Sequence, residues 1–198
     1  MGLLTRRSLA GGVVAAGAAT LIGVLALRKP DEPPVQHLTL PDQAAGGVAM
    51  RPLSDIERVT PPGTLPDIAI AALDGSPRHL PGDWRCRVVV LNFWATWCVP
   101  CVAELPALDQ LAAAQPEFAV LAVSADRTGA ELVKPFLAAH GISHLTVLLD
   151  PHMEAGRAFG VSGFPTTLVI DTAGRLRGRL EGPADWASAA SVIRSLVA

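Results

Sequence analysis

The sequence predicts an α/β domain built on a mixed central sheet, and three observations predict it. Arg87–Trp94 (RVVVLNFW) and Phe118–Ser124 are almost wholly β-branched or apolar, as strands covered on both faces must be. Segments of helical spacing at Val102–Ala114 and Ala130–His140 alternate with them, the order that joins parallel strands through crossovers. Thr166–Asp171 and Arg175–Leu180 flank a turn at Thr172–Gly174 and precede a last helix from about Asp185 to Val197, which adds antiparallel strands and makes the sheet mixed.

The remaining elements follow in order. Ile68–Ala72, Asp74-Gly75 and Arg78–Leu80 read as a small hairpin ahead of the first covered strand. Leu145–Leu149 supplies another strand, and Glu154–Phe159 a short helix. Residues 30–64 read as an extended, Pro-rich tether, because residues 30–66 hold eight of the 17 prolines and an Ala/Gly patch lies at 44–49. One short helix is expected to interrupt it near Pro52–Val59. The globular domain is then 65–198.

Composition sets the class. Half of the 198 residues are hydrophobic and 17% are charged, which excludes a disordered chain. All 18 acids lie at or after Asp31, while Arg6, Arg7, Arg28 and Lys29 lie before it, so residues 30–198 carry 12 bases against 18 acids. A nucleic-acid binder needs a basic domain, and this one is acidic.

Ser8–Leu27 is a run of 20 residues without a charge, bracketed by Arg6-Arg7 and Arg28-Lys29. As a helix it would span about 30 Å, the thickness of a bilayer core. Residues 1–29 are therefore an anchor or export signal. Retention is the reading, because the apolar run exceeds the usual signal length and Leu25-Ala26-Leu27-Arg28-Lys29 replaces an A-x-A exit. A cleaved signal is the alternative, and Thr5-Arg6-Arg7-Ser8-Leu9 loosely resembles a twin-arginine signal. The charge flanks place the N-terminus inside, so the expectation is a single-pass inner-membrane protein with its domain in the periplasm.

The chemistry lies in Trp94-Ala95-Thr96-Trp97-Cys98-Val99-Pro100-Cys101, where a covered strand ends and a helix begins. Two cysteines three apart at a helix start can close a disulfide within the first turn. Cys98 stands beside unpaired backbone N–H groups at the positive end of the helix dipole, which favour thiolate over thiol and make it the nucleophile. Cys101, one turn in, resolves the mixed disulfide. Pro100 suits an early helix position, where its missing donor is not needed. A structural zinc site would need two more ligands, and no second C-x-x-C or close His pair exists, so no metal is expected. His140 and His144 have i, i+4 spacing, but Gly141 between them ends the helix. No cofactor is implied.

Trp-Cys-x-x-Cys after an apolar strand resembles the thioredoxin fold. A second element agrees: Gly163-Phe164-Pro165-Thr166-Thr167 matches the loop whose cis-proline faces the active-site disulfide in that family. Cys98-Val99-Pro100-Cys101-Val102-Ala103-Glu104-Leu105-Pro106, the hairpin and the tether resemble the TlpA/ResA/CcmG group of anchored periplasmic thiol-disulfide proteins. The TlpA branch is the nearest likeness, through Cys-Val-Pro-Cys and the 181–188 stretch (EGPADWAS).

The resemblance implies protein disulfides as substrates, with Trp97, Val99, Pro100, Phe164 and Thr166 contacting the substrate chain. It implies Pro165 as a site residue and a membrane electron donor of the CcdA/DsbD type as partner. Targets implied are cytochrome oxidase copper-site or metallochaperone cysteines, or apocytochrome c. Asn92 stands where cytosolic thioredoxin has a buried acid, and Glu104, three residues after Cys101, is expected to take over acid/base work with a pKa raised by partial burial. A solvated Glu favouring the helix N-terminus is the plainer reading. A disulfide oxidase or isomerase, or a copper-binding chaperone using the CxxC, are the alternative functions.

Cys86 lies outside the motif. It is expected as a small buried hydrophobe, with a free thiol or accessory redox site as alternatives. Trp94 and Trp97 are expected to pack around the disulfide, and Arg175, Arg177 and Arg179 to alternate along an exposed edge.

Overall fold

A computed structural model describes residues 48–198. The expected anchor at 1–29 and most of the expected tether lie outside the described residues. Among the described residues, no helix is long and apolar enough to cross a membrane.

The first covered run forms β5 (Val88–Trp94), the second β6 (Phe118–Ser124), and β7 (Thr146–Leu149) follows. These three are parallel neighbours, joined by α1 (Val99–Ala114) and α2 (Ala130–Ala139). β8 (Thr166–Ile170) and β9 (Arg175–Glu181) pair antiparallel, and β8 returns against β5. β3 (Ile68–Ala72) and β4 (Pro77–Leu80) form the expected hairpin, which extends the sheet beyond β7. α3 (Glu154–Ala158) and α4 (Ala189–Val197) complete the helices. The sheet is mixed, as predicted, and the fold is thioredoxin-like α/β.

Strand parity decides what faces each helix. On β5, Val89, Leu91 and Phe93 join one apolar cluster with Leu148, Phe159 and Leu168. Val90 turns to the opposite face, against Leu108 of α1 and Ile193 of α4. Successive strand residues alternate faces, so Asn92 and Trp94 share Val90's side and look toward α1. Trp94 packs there with Cys98, Cys101 and Leu105. Each of these fully buried large side chains contributes about 1.5–3 kcal/mol by leaving water. α2 ends where Gly141, at φ 67°, takes the left-handed conformation that closes many helices.

Two expectations are corrected. The short helix placed near Pro52–Val59 is a three-residue 3₁₀ turn at Leu53–Asp55, followed by β2 (Glu57–Thr64). This strand pairs antiparallel with β9, so these residues, assigned to the tether, are an edge strand of the main sheet. Proline content misled, because Pro is tolerated at sheet edges and irregular registers, and the β2 register shifts between Arg58 and Gly63. Leu53 and Ile56 are buried with the α4 residues, and Gly178 of β9 makes room for them. A Cβ at Gly178 would lie 3.0 Å from Ile56 Cδ1 and 3.1 Å from Leu196 Cδ1.

The second correction follows from the first. With β2 outside it, β9 is an interior strand, and Arg177 and Arg179 are only partly exposed. Arg175 and Arg177 pair with the buried Asp171, and Arg179 with Glu181. A further two-residue strand, β1 (Arg51–Pro52), pairs parallel with β10 (Ala184–Asp185).

Candidate active site

The end of β5 delivers Cys98 to the first turn of α1. Cys98 is the N-cap residue, in extended conformation, and its Sγ accepts from the Cys101 backbone N–H at 3.4 Å. This is the arrangement that stabilises a thiolate once the pair is reduced, because that N–H has no partner within the helix. Pro100 occupies the helix start, as expected. Cys98 and Cys101 form a disulfide with their Cα atoms 5.3 Å apart. Cys101 has no exposed surface while Cys98 keeps 6%, so an incoming sulfur meets Cys98 first.

Around it lies an apolar rim. Trp97 and Val99 are 67% and 71% exposed, the largest exposures among big hydrophobic side chains described. Trp97 therefore stands clear of the core, unlike the buried Trp94, and the expectation that both pack around the disulfide holds only for Trp94. The Phe164 ring meets Trp97 edge-on at 5.7 Å, which brings the 163–167 loop to the cysteines. The Phe164–Pro165 bond is cis. Thr166, expected to contact substrate, is buried and its hydroxyl donates to Gly163 O at 2.7 Å, so it shapes the loop instead.

Three residues past Cys101 on α1, Glu104 is buried completely rather than partly. Its Oε1 accepts from Asn92 Nδ2 at 2.6 Å, and its Oε2 from the Ala184 N–H at 3.0 Å and Trp186 Nε1 at 3.4 Å. Burial pushes its carboxyl up from 4.5 to about 7, against the pull of those three donors. Asn92 Oδ1 has no partner among the described residues. The solvated reading of Glu104 is thereby excluded.

A second polar group was not read from the sequence. Asp126, just past the end of β6, accepts from the Thr96 N–H at 3.0 Å, the Thr96 hydroxyl at 2.7 Å and the Ser124 hydroxyl at 2.8 Å. It ties down the loop that carries Trp97 and Cys98. No spacing signals it, since β6 and β5 approach only in the fold.

Cys86 is exposed, correcting the buried expectation. It has φ 71° and sits at the opposite end of β5 from Cys98, about 20 Å away at strand rise. A disulfide needs Cα atoms within about 7 Å, so Cys86 cannot join the pair. Iodoacetamide is expected to modify the oxidised, folded protein once, at Cys86. No modification, or modification at Cys98 or Cys101, in intact-mass analysis would contradict this geometry.

The comparisons agree with the geometry. The Redoxin family model matches residues 61–193. A thiol-disulfide oxidoreductase ResA of Geobacillus thermodenitrificans is 31% identical over 120 residues, covering 60% of this chain and 68% of that protein. A thiol:disulfide interchange protein DsbE homologue of Paracoccus denitrificans is 40% identical over 96 residues, 48% of this chain and 51% of the relative. HelX of Rhodobacter capsulatus, a thiol:disulfide interchange protein, is 36% identical, and the match again spans about half of each chain, 49% and 53%. Among solved structures, a DsbE from Chlorobium tepidum superposes with TM-score 0.62 at 29% identity, over 72% of this chain and 99% of the other. The exposed lipoprotein thioredoxin Etrx1 of Streptococcus pneumoniae gives TM-score 0.59 at 27% identity, over 66% and 99%. A cysteine that caps a helix N-terminus, a more deeply buried partner within one turn, and a family match over residues 61–193 together place this chain in the Redoxin family as a thiol-disulfide oxidoreductase of the ResA/DsbE/HelX type.

Proposed function

We propose that the protein reduces disulfides of exported polypeptides, in the manner of the TlpA branch of its group. The observation that carries this is the asymmetry of the pair: Cys98 lies at an apolar, exposed rim while Cys101 is sealed beneath it. A rim of Trp97, Val99 and Phe164 fits a polypeptide laid across the sulfurs. Its backbone can pair beside Pro165 in β fashion.

In the reduced enzyme the Cys98 thiolate attacks one sulfur of the substrate disulfide and releases the other as thiolate. The Cys101 thiolate then attacks Cys98 Sγ, frees the second substrate sulfur and leaves the enzyme oxidised. Two electrons have passed to the substrate. An external dithiol restores them, and in this group a membrane carrier of the CcdA/DsbD type fills that place. Glu104 takes part as the acid/base group, exchanging the proton that Cys101 gains or loses; a carboxyl near pKa 7 is matched to that work at neutral pH.

The apolar segment at 8–27 supports an anchored protein facing the periplasm. Cysteines of cytochrome oxidase copper sites, of metallochaperones or of apocytochrome c are the substrates this reading entails. The test is the reduction potential of the Cys98/Cys101 couple, measured against glutathione. A value near or below about −200 mV is expected, and one approaching about −120 mV would make the protein an oxidase instead.

A further inference from the structure

The reducing reading leaves open which polypeptides the site prefers, and the topology bears on it. β5, β6 and β7 are parallel, so the loops that follow them emerge on one end of the sheet. The first carries Trp97 and Cys98, the second Ala125 and Arg127, the third Pro151 and His152. Crevices at the carboxyl ends of parallel strands are where open α/β sheets take their ligands. Here the three loops enclose an open groove of about 480 Å³ against Trp97, and Arg157 of α3 closes its far side.

The groove is basic. Arg127 and Arg157 are exposed, and neither pairs with a carboxylate within 4 Å among the described residues. The Arg157 Nη1 donates to His152 O at 2.7 Å, which holds that guanidinium at the groove. The two acids nearest in these loops face inward and are engaged. Asp126 accepts from Thr96 and Ser124, and Asp150 accepts from the Glu154 and Gly156 N–H groups at 2.7 and 2.8 Å. Glu131 and Glu154 stand on the adjoining helices and line no part of it. Residues 30–198 as a whole carry an excess of acid, so this basic spot runs against the general charge.

We infer that the groove beside Trp97 receives an acidic side chain of the substrate polypeptide, with Arg127 and Arg157 as the residues that select it. This rests on the reading of a polypeptide disulfide at Cys98. An Asp or Glu a few residues from the target cysteine would reach past Trp97 into the groove while the cysteine meets Cys98. Two guanidiniums suit a carboxylate through paired, charge-assisted N–H donors.

The experiment compares two disulfide-bonded peptides that differ only in Glu or Gln flanking the cysteines. Each second-order exchange rate with the reduced protein is divided by that of hydroxyethyl disulfide on the same variant. At about 10 mM salt, where the Debye length is about 30 Å, the Glu peptide is expected to react on the order of tenfold faster. At 1 M salt the advantage should fall to nearly nothing. Arg127→Gln should erase most of the preference and Arg127→Lys should keep part of it, and since Arg127 makes no hydrogen bond among the described residues, neither depends on Arg157's loop contact. Equal rates for both peptides at low salt, or a preference untouched by Arg127→Gln with Arg157→Gln, would overturn the inference. An oxidising potential for the Cys98/Cys101 couple would overturn the reductase reading alone, because the preference is a ratio of exchange rates and survives a change of direction.

Discussion

Cys101→Ser is expected to turn the enzyme into a trap. Cys98 still has the Cys101-position N–H on its sulfur, so its thiolate still attacks a substrate disulfide. Release then has to wait for a thiol from solution. A correctly placed intramolecular group acts at effective molarities of about 10⁵–10⁸ M, and millimolar thiol in solution cannot replace it. A mixed disulfide between Cys98 and the substrate should accumulate and be visible as an intact-mass increase without reductant. Cys98→Ser should instead show neither adduct nor turnover, because Cys101 is buried and cannot be reached. Adduct formation through Cys101 in the Cys98→Ser protein, or undiminished turnover by Cys101→Ser, would reverse the assigned roles.

The second large effect concerns Glu104. Its folded pKa of about 7 lies above the ordinary 4.5, so the folded protein binds more protons than the unfolded chain between those values. Stability from this group is therefore full below about pH 4.5 and is lost as pH rises to about 7. At about 1.36 kcal/mol for each pH unit, the loss amounts to about 3 kcal/mol. Glu104→Gln cannot ionise, and it should flatten this part of the stability profile of the oxidised protein. Gln can still accept from Ala184 and Trp186, and its amide can donate to Asn92 once the Asn92 amide turns its unpartnered Oδ1 inward. Glu104→Ala leaves the Ala184 N–H and Trp186 Nε1 without an acceptor and the Asn92 amide with Thr167 Oγ1 alone, and should cost about 3 kcal/mol or more at any pH. Denaturant midpoints between pH 4.5 and 8 measure both. Parallel profiles for wild type and Glu104→Gln would remove the raised pKa. The catalytic role has its own readout. The rate of Cys98 alkylation against pH in the reduced protein should change shape in Glu104→Gln, and superimposable curves would leave Glu104 a structural tie between α1 and the β10 segment.

Much of the site was legible because its parts are short-range. Cys98, Pro100 and Cys101 lie within one turn, and a helix start explains all three. The 163–167 loop was found from a Pro before a strand, matched to a family pattern. Trp186 and Ala184 were noted as part of a resemblance, yet their contact with Glu104 joins residues 80 or more apart in sequence, and no periodicity reports such a meeting. The same holds for Asp126 under Thr96, and for Arg127, His152 and Arg157, which gather only because three parallel strands end together. Thr166 shows the opposite error, since adjacency to a site residue does not give exposure when strand parity turns a side chain inward. Cys86 was misread because buried free cysteines are common, whereas its place in the turn just before β5 leaves it in solvent.

Local sequence decided the α/β class, the order of the covered strands, the hairpins at either end and the Cys98/Cys101 pair at a helix start. Each of these depends on neighbours within a few residues, where backbone geometry and side-chain period leave little choice. Tertiary structure decided the rest. It made β2 an edge strand out of an apparent tether, because β9 offered unpaired backbone groups and Gly178 offered space. It settled between a solvated and a partly buried Glu104 by burying the side chain completely, because α1 lies across Asn92 and the β10 segment. Burial depends on what the rest of the chain brings alongside, and only the folded chain contains that.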